Sequence, residues 1–360
     1  MPTPTSTSLA STTTTSPTAS CTTAVPGKYG YVPPDACNAY WAFSPSFAAA
    51  VAFSTLFGIL MLAQICLAIL FRKGFCWVMI MGASWEVVAF ITRALGAHHQ
   101  QSLAYAFVSS LLFLLAPLWV NAYVYMTAGR LIWTFHPEKR VCGVKALSIG
   151  KYFVWLDIFS FIVQGIGGSM LSPGASADTM KLGKNIYMTG LGVQQLFILL
   201  FIALVVRFHV EVLRYEQTGT ATLVNNKWKW VTYALYASLV LITMRIIFRL
   251  IEFSAGTDIS NPLPYHEIYP LVLDAMPMLI AIFILTVVHP GLALKGPESE
   301  FPSRKERKAE KKKIKAEKKA RKRERKMAKK GALAMDTSYE HQQASREELM
   351  REDIEMGHRI

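Results

Sequence analysis

Residues 46–70 read SFAAAVAFSTLFGILMLAQICLAIL, a stretch without a single charged side chain. An α-helix needs about 20 predominantly apolar residues to cross the hydrocarbon core of a membrane. A helix on the surface of a soluble protein has a polar face, whereas this stretch is apolar on nearly every side. The stretch therefore predicts a membrane-spanning helix.

Six further stretches have a similar length and composition. They lie near 75–95, 104–128, 152–172, 185–208, 230–253 and 268–289. Pro117 and Pro277 fall inside two of them, where we expect kinks that neighbouring helices can accommodate. We predict an all-α, polytopic membrane protein with seven transmembrane helices over 46–291.

Lysine and arginine are concentrated in alternate connections between these spans. The connection after the first span contains Arg72 and Lys73, and those after the third and fifth spans contain at least three each. The connections after the second and sixth spans contain none, and the one after the fourth contains Lys181 and Lys184. Because basic residues accumulate in cytoplasmic loops, we predict an outside N-terminus and a cytoplasmic C-terminus.

The leader, residues 1–45, and the tail, residues 292–360, differ from the spans in composition. The leader begins with a run of Ser, Thr, Pro and Ala, and it contains Cys21 and Cys37. In an oxidising compartment outside the cell, these residues are compatible with a disulfide, and free thiols are the alternative.

The tail contains a basic run at 304–330, with 17 Lys or Arg and 4 Glu. This run accounts for nearly all of the formal net charge of +14, so the charge does not indicate a nucleic-acid-binding fold and we expect no nucleic-acid partner. It is compatible with a basic helix that binds anionic lipids of the inner leaflet. A solvated, disordered segment fits the same composition.

Several charged or strongly polar side chains interrupt the spans, and such residues are candidates for function because they are costly in a membrane. They are Glu86 and Arg93 in the second span, Asp157 and Gln164 in the fourth, Arg245, Arg249 and Glu252 in the sixth, and Glu267 and Asp274 in the seventh. Four pairs are seven residues apart, which is nearly two helical turns and places both members on one face. We expect their partners on other helices, with Asp274 or Glu86 beside Arg245.

With the predicted orientation, most of these charges lie in the outer half of the membrane, while Glu86 lies near the middle and Asp157 toward the inside. We predict a polar, substrate-binding cavity that opens to the outer leaflet between the second, sixth and seventh spans. An ion-pair network that only stabilises the bundle is the alternative.

An ordered set of short motifs resembles the fungal lipid-translocating exporter family, which is also known through resistance to 7-aminocholesterol. The motifs are Tyr29 to Pro33, Glu86 with Arg93, Leu115 to Pro117 through Tyr125 to Gly129 and Arg130, Asp157 with Gln164, Gly167 and Gly168, Gly190 with Gln194, Arg245 with Arg249 and Glu252, and Glu267 with Asp274. The resemblance covers roughly 29–291. It implies a seven-helix protein of the plasma membrane, or alternatively of an endomembrane, that exports sphingoid long-chain bases or confers resistance to toxic amphiphiles.

Our functional hypothesis is a translocator of lipids or amphiphiles, in which Glu86, Glu252 and Asp274 bind an ammonium group. No phosphate-binding loop of the Walker type occurs, so transport would use a gradient or be passive. A seven-helix lipid receptor that acts through its tail is the alternative.

An enzyme is not expected, because no histidine lies at mid-membrane to help bind a catalytic zinc ion. For the same reason we expect no metal site, and nothing in the sequence indicates a cofactor. The sequence leaves the oligomeric state open.

Overall fold

The computed structural model describes residues 22–33, 36, 38–171, 176–218, 226–254, 263–294, 296, 301–302 and 304–357. The proposed Cys21–Cys37 disulfide lies outside these residues. Seven described helices are long and apolar enough to cross a membrane, which confirms the predicted number of spans.

The first six spans are single helices that extend beyond the predicted boundaries at several ends. They are α1 Phe47–Phe71, α2 Trp77–His98, α3 Leu103–Phe135, α4 Ala146–Ser169, α5 Ala177–Gln217 and α6 Lys227–Ser254. The longest, α5, has 41 residues, about twice the length that a membrane crossing needs. It therefore includes Lys181 and Lys184, which the sequence analysis placed in a loop.

Side-chain caps define the first residues of two spans. The Ser46 hydroxyl accepts a hydrogen bond from the amide of Ala49 at the start of α1, and Ser176 caps α5 by accepting one from Thr179. Such caps satisfy amides that have no partner within the first helical turn. They fix where each helix begins.

The seventh span, Ile268–Leu292, is irregular. It consists of the short α7 Ile268–Pro270, a π-helical turn Leu271–Ala275, α8 Met276–Val287 and a 3-10 turn Pro290–Leu292. Pro277 has no amide hydrogen for the carbonyl four residues earlier, and its ring crowds that carbonyl. The predicted disturbance at Pro277 is therefore present, in the form of a widened turn just before it.

The helices pack in a closed ring. Each span contacts the next one along the chain, α8 also contacts α1, and α3 reaches across to α6. A small antiparallel hairpin, Arg140–Val141 with Val144–Lys145, joins α3 to α4 and was not predicted. Its turn uses Cys142 and Gly143 at φ of 51° and 75°, as a tight hairpin turn requires.

The tail is a separate unit, and it contains the helix α9 Arg304–Gly357. The described side chains of α9 are exposed, including Ile314 and Met327. The basic run is therefore helical, which was one of the two predicted forms. Binding of this helix to anionic lipids stays a prediction.

Candidate functional site

The centre of the candidate site is Asp274, which lies in the π-helical turn of the seventh span and has no exposed surface. Arg245 and Arg249, one turn apart on α6, both donate hydrogen bonds to its carboxylate. The Arg249 Nε–Asp274 Oδ2 distance is 2.7 Å, and Arg245 Nε contacts the other oxygen, Oδ1. The expected pairing of Arg245 with Asp274 is therefore confirmed.

Arg249 also binds a second acid on its own helix. Its Nη1 atom lies 2.9 Å from Oε2 of Glu252, three residues further along α6. One guanidinium thus bridges a carboxylate from the seventh span and a carboxylate from α6. Charge-assisted, multidentate contacts of this kind are the strong form of hydrogen bond, and they compensate for part of the cost of removing the charges from water.

Glu86 on α2 stands apart from these pairs. It is fully buried, and neither oxygen of its carboxyl group has a hydrogen-bond partner among the described residues. The charges of Arg245, Arg249 and Asp274 act on it across the interior of the bundle. A buried polar group without a partner is costly in a folded protein, so Glu86 remains a candidate for function.

Arg93, although predicted to belong to the site, takes part in a different contact. Its Nε donates to Oε1 of Glu267 at 3.0 Å, while Oε2 of Glu267 accepts the amide of Ser46 at 2.7 Å. The guanidinium also lies over the ring of Phe43, at 5.1 Å from its centroid. Arg93 and Glu267 therefore form a clamp that connects α2 and the seventh span to the start of α1.

Gln164 forms the next polar contact, between α4 and α5. Its Nε2 donates to Oε1 of Gln194 at 2.9 Å in the buried interior. The two helices approach closely at Gly190, where an added Cβ would lie 2.7 Å from Cγ of Gln164. Small residues commonly permit such approaches between membrane helices, and here the approach brings the two amides together.

Asp157 lies on α4 seven residues before Gln164, on the same face of the helix. Two residues of α3 bind it. Its Oδ2 accepts hydrogen bonds from Asn121 Nδ2 at 3.0 Å and from the Tyr125 hydroxyl at 2.9 Å. It does not join the arginine cluster. The sequence-predicted residues therefore fall into three groups, around Asp274, around Glu267 and around Asp157, with the Gln164–Gln194 pair as a fourth contact.

A cavity of about 380 Å³ reaches the cluster at Glu252. It is lined by Leu171, Met180, Lys181, Lys184, Glu252, Phe253 and Pro264. Of the three predicted walls, from the second, sixth and seventh spans, only the sixth span lines this cavity; α5 and the segments that contain Leu171 and Pro264 provide the rest of the described lining.

A much smaller void, of about 20 Å³, lies beneath Arg245 and Arg249 between α3, α4, α5 and α6. Its lining includes Gln164 of α4 and Gln194 of α5, so polar side chains from three helices, α4, α5 and α6, line it. This volume suits a single water molecule. The void connects the glutamine pair with the arginine cluster in space, although the two are far apart in sequence.

The sequence analysis missed the part played by several of these residues. Tyr187 of α5 and Leu118 of α3 line the small void, and Lys184 lines the larger cavity. Their spacing is ordinary for a membrane helix, so no local signal distinguishes them. Among the described residues no group of three or more His, Cys, Asp or Glu is arranged to bind a metal ion.

Comparisons with known proteins agree with the resemblance noted from the sequence. The chain is 46% identical over 298 residues to the probable lipid transporter atnI of Emericella nidulans, covering 81% of this chain and 78% of that protein. It is 33% identical over 210 residues to protoporphyrin uptake protein 1 of Saccharomyces cerevisiae, covering 57% and 65%. It is 26% identical over 283 residues to the sphingoid long-chain base transporter RSB1 of S. cerevisiae, covering 69% and 72%.

No solved structure matches the chain significantly. The family model described as RTA1 like protein matches residues 79–297, which contain all of the intramembrane charges discussed above. The chain therefore belongs to the RTA1-like protein family.

Proposed function

We propose that this integral membrane protein translocates lipids or other amphiphiles, with sphingoid long-chain bases as the first candidates. Two relatives are named as lipid or long-chain base transporters, and a third as a protoporphyrin uptake protein. The single observation in this chain that carries the proposal is the arginine cluster around Asp274 beside the unpartnered Glu86.

The cluster has more acceptors than its two arginines use at one time. Arg249 binds Asp274 and Glu252, while the Glu86 carboxyl group is near both arginines without a hydrogen bond. An ammonium headgroup could replace Arg249 at Glu252 and release this guanidinium toward Glu86. Exchange among these partners keeps charges compensated as the headgroup moves, which is a requirement inside a membrane.

The cavity at Glu252 provides a place for such a headgroup. Its remaining walls are mostly apolar side chains, such as Leu171, Met180 and Phe253, and these suit an acyl chain. Its volume of about 380 Å³ lies within the range of small-molecule sites, roughly 300–1,000 Å³. The Lys184 ammonium also lines this cavity, and it donates to the backbone carbonyl of Ser254 at 2.6 Å.

We further propose an outside N-terminus, a cytoplasmic tail and a location in the plasma membrane. The orientation is supported by the distribution of Lys and Arg among the connections. It places the Glu252 cavity toward the outer leaflet and Asp157 toward the inner one. Anionic lipids of the inner leaflet are then the expected partners of the basic tail.

We favour a transporter over a receptor or an enzyme. The relatives whose names state a function are described as transporters or as an uptake protein. The described contacts provide charges that can exchange partners, and no observation on them favours signalling through the tail. We therefore expect transport without a covalent step.

Reconstitution tests the proposal directly. Purified protein in sealed vesicles should accelerate the movement of a labelled sphingoid base between leaflets, and Arg245→Ala or Glu86→Ala should abolish this movement. Arg140→Ala is the matched control, because Arg140 forms an exposed ion pair with Glu138 outside the bundle interior. Normal flux in both interior variants, with correct folding, would contradict the proposed site.

A further inference from the structure

A second candidate binding site lies on the membrane-facing side of α2, α3 and α4. Trp119 makes edge-to-face contacts with Trp77 and Trp85, with ring centroids 5.6 Å and 5.5 Å apart. The three indole rings line a groove of about 340 Å³. The other described lining residues are Val78, Leu115, Leu118, Ala122, Met126, Val154, Asp157 and Ile158. Asp157 is thus the one acidic side chain among these residues.

Hydrogen bonds hold the Asp157 carboxyl group in place, but they involve only one of its two oxygens. Asn121 and Tyr125 both donate to Oδ2, whereas Oδ1 has no partner among the described residues. The residue is 2% exposed, so bulk water has little access to the unpaired oxygen. Two donors on one oxygen fix the orientation of the group, and the other oxygen remains available as an acceptor.

The carboxyl group also has no cationic partner among the described residues that line the groove. No Lys, Arg or His among the described residues forms an ion pair with Asp157, in contrast to Asp274, which binds two arginines. A buried acid normally has a cationic partner or several hydrogen bonds. A cation that enters the groove from outside the protein would supply the missing partner.

We propose that the groove binds the ammonium headgroup of a single-chain amphiphile and so serves as a loading site for the transport proposed above. The carboxyl group provides a charge-assisted hydrogen bond, and tryptophan faces are the strongest aromatic partners for a cation. The apolar rim, with Trp77 53% exposed, accommodates the hydrocarbon chain. The inference rests on the proposed function, since loading has a meaning only for a transporter.

The location of the groove relative to the other cavities supports a sequence of two sites. Leu118 lines both this groove and the small void beneath Arg245 and Arg249. Gln164, which lies on α4 seven residues after Asp157, also lines that void. On the proposed route, a headgroup that leaves Asp157 would pass the glutamine pair and then the arginine cluster before it reaches Glu252.

Fluorescence quenching on the purified full-length protein tests the site. The probes are a long-chain primary amine with a brominated chain and the corresponding brominated alcohol, because bromine quenches nearby tryptophans. We expect saturable quenching by the amine with a Kd at least about tenfold below that of the alcohol. Asp157→Asn retains an acceptor for Asn121 and Tyr125 and should remove this preference. Equal Kd values for amine and alcohol in the wild type would overturn the proposal.

A second variant keeps the test decisive if Asp157→Asn does not fold. Trp119→Phe retains an apolar ring, so the amine should still be preferred while the saturable quenching decreases, because a reporter in the groove is lost. Unchanged quenching in this variant would place the amine elsewhere and overturn the proposal. Parallel flux measurements separate the two hypotheses. Normal flux with amine binding that does not depend on Asp157 rejects only the groove. Asp157-dependent binding without any flux rejects the transporter and the loading role, while the groove remains a binding site.

Discussion

Asp274 lies three residues before Pro277, inside the π-helical turn that ends two residues before this proline. Pro277 cannot donate to the carbonyl of Leu273, so the regular helical ladder is interrupted at this point. Single π-helical turns occur frequently at functional sites. Here the turn is the segment that carries the carboxylate toward the two arginines of α6.

The first prediction concerns this turn. Pro277→Ala restores a hydrogen-bond donor and should allow a regular α-helix through Leu271–Ala275, which rotates Asp274 relative to α6. We expect the protein to remain folded, since alanine is the best helix former. Transport should fall about tenfold or more, because the Arg245 and Arg249 contacts depend on this register. Flux in vesicles and thermal unfolding in detergent measure the two effects, and unchanged flux would show that the turn does not position Asp274.

Loss of the Asp274 charge should destabilise the bundle. Asp274→Asn leaves two buried guanidinium groups with one fewer carboxylate, and removing one partner of a buried pair typically costs about 3–5 kcal/mol. Chemical or thermal unfolding of the purified protein measures this change. Glu138→Gln is the control, because the Glu138–Arg140 pair is exposed and its loss should not change stability measurably.

Removal of the Glu86 carboxyl group should instead increase the stability of the protein. Its carboxyl group is buried without a hydrogen bond, so Glu86→Met replaces it with an apolar side chain of similar length and removes the cost of burying the group. We expect the free energy of unfolding to rise by about 1–3 kcal/mol while transport is lost. Unfolding and flux measured on the same preparation test this opposition, and a less stable protein would mean that Glu86 contributes to the fold.

The clamp between Arg93 and Glu267 should act on stability alone. Glu267→Gln weakens the contacts to Arg93 and to the Ser46 amide, which connect three spans. Hydrogen bonds to charged groups contribute about 1.5–3 kcal/mol, so we expect a loss of about this size. At a temperature where the variant is folded, the substrate concentration for half-maximal flux should equal that of the wild type. A clear increase in this concentration would show that Arg93 belongs to the substrate site, as the sequence predicts.

The sequence predicts the seven spans because hydropathy integrates over about 20 residues and tolerates local detail. The pairing of Arg245 with Asp274 can also be predicted from the sequence, because a buried arginine in a membrane needs an acid on a neighbouring helix. The sequence does not predict how the polar residues divide into separate groups. Residues seven apart share a face, but the spacing does not state which helix that face meets.

Two features depend on distances that no sequence pattern encodes. Glu86 lacks a hydrogen bond although Arg245 and Arg249 are close, and Asp157 binds neutral donors instead of an arginine. The Trp77, Trp85 and Trp119 groove combines residues of two helices, and a third helix supplies the acid. At the groove, α2 approaches α3 closely at Gly82, where an added Cβ would lie 3.1 Å from Cβ of Trp119, and only the packed structure shows this approach.

The last prediction concerns the tail. The helix α9 contains the basic run 304–330, with 17 Lys or Arg and 4 Glu, and a basic residue near an anionic membrane surface contributes roughly 1 kcal/mol. Deleting residues 301–360 should therefore weaken enrichment of the protein in membrane regions rich in anionic lipid. Flux per reconstituted molecule in neutral vesicles should stay unchanged, because the tail forms a unit separate from the bundle. Co-localisation with an anionic-lipid probe and flux assays measure these effects. A variant with the basic residues of 304–330 changed to Gln is the control, because it keeps the length of the tail and should reproduce the deletion. If this variant distributes like the wild type, the basic charge has no part in binding the membrane.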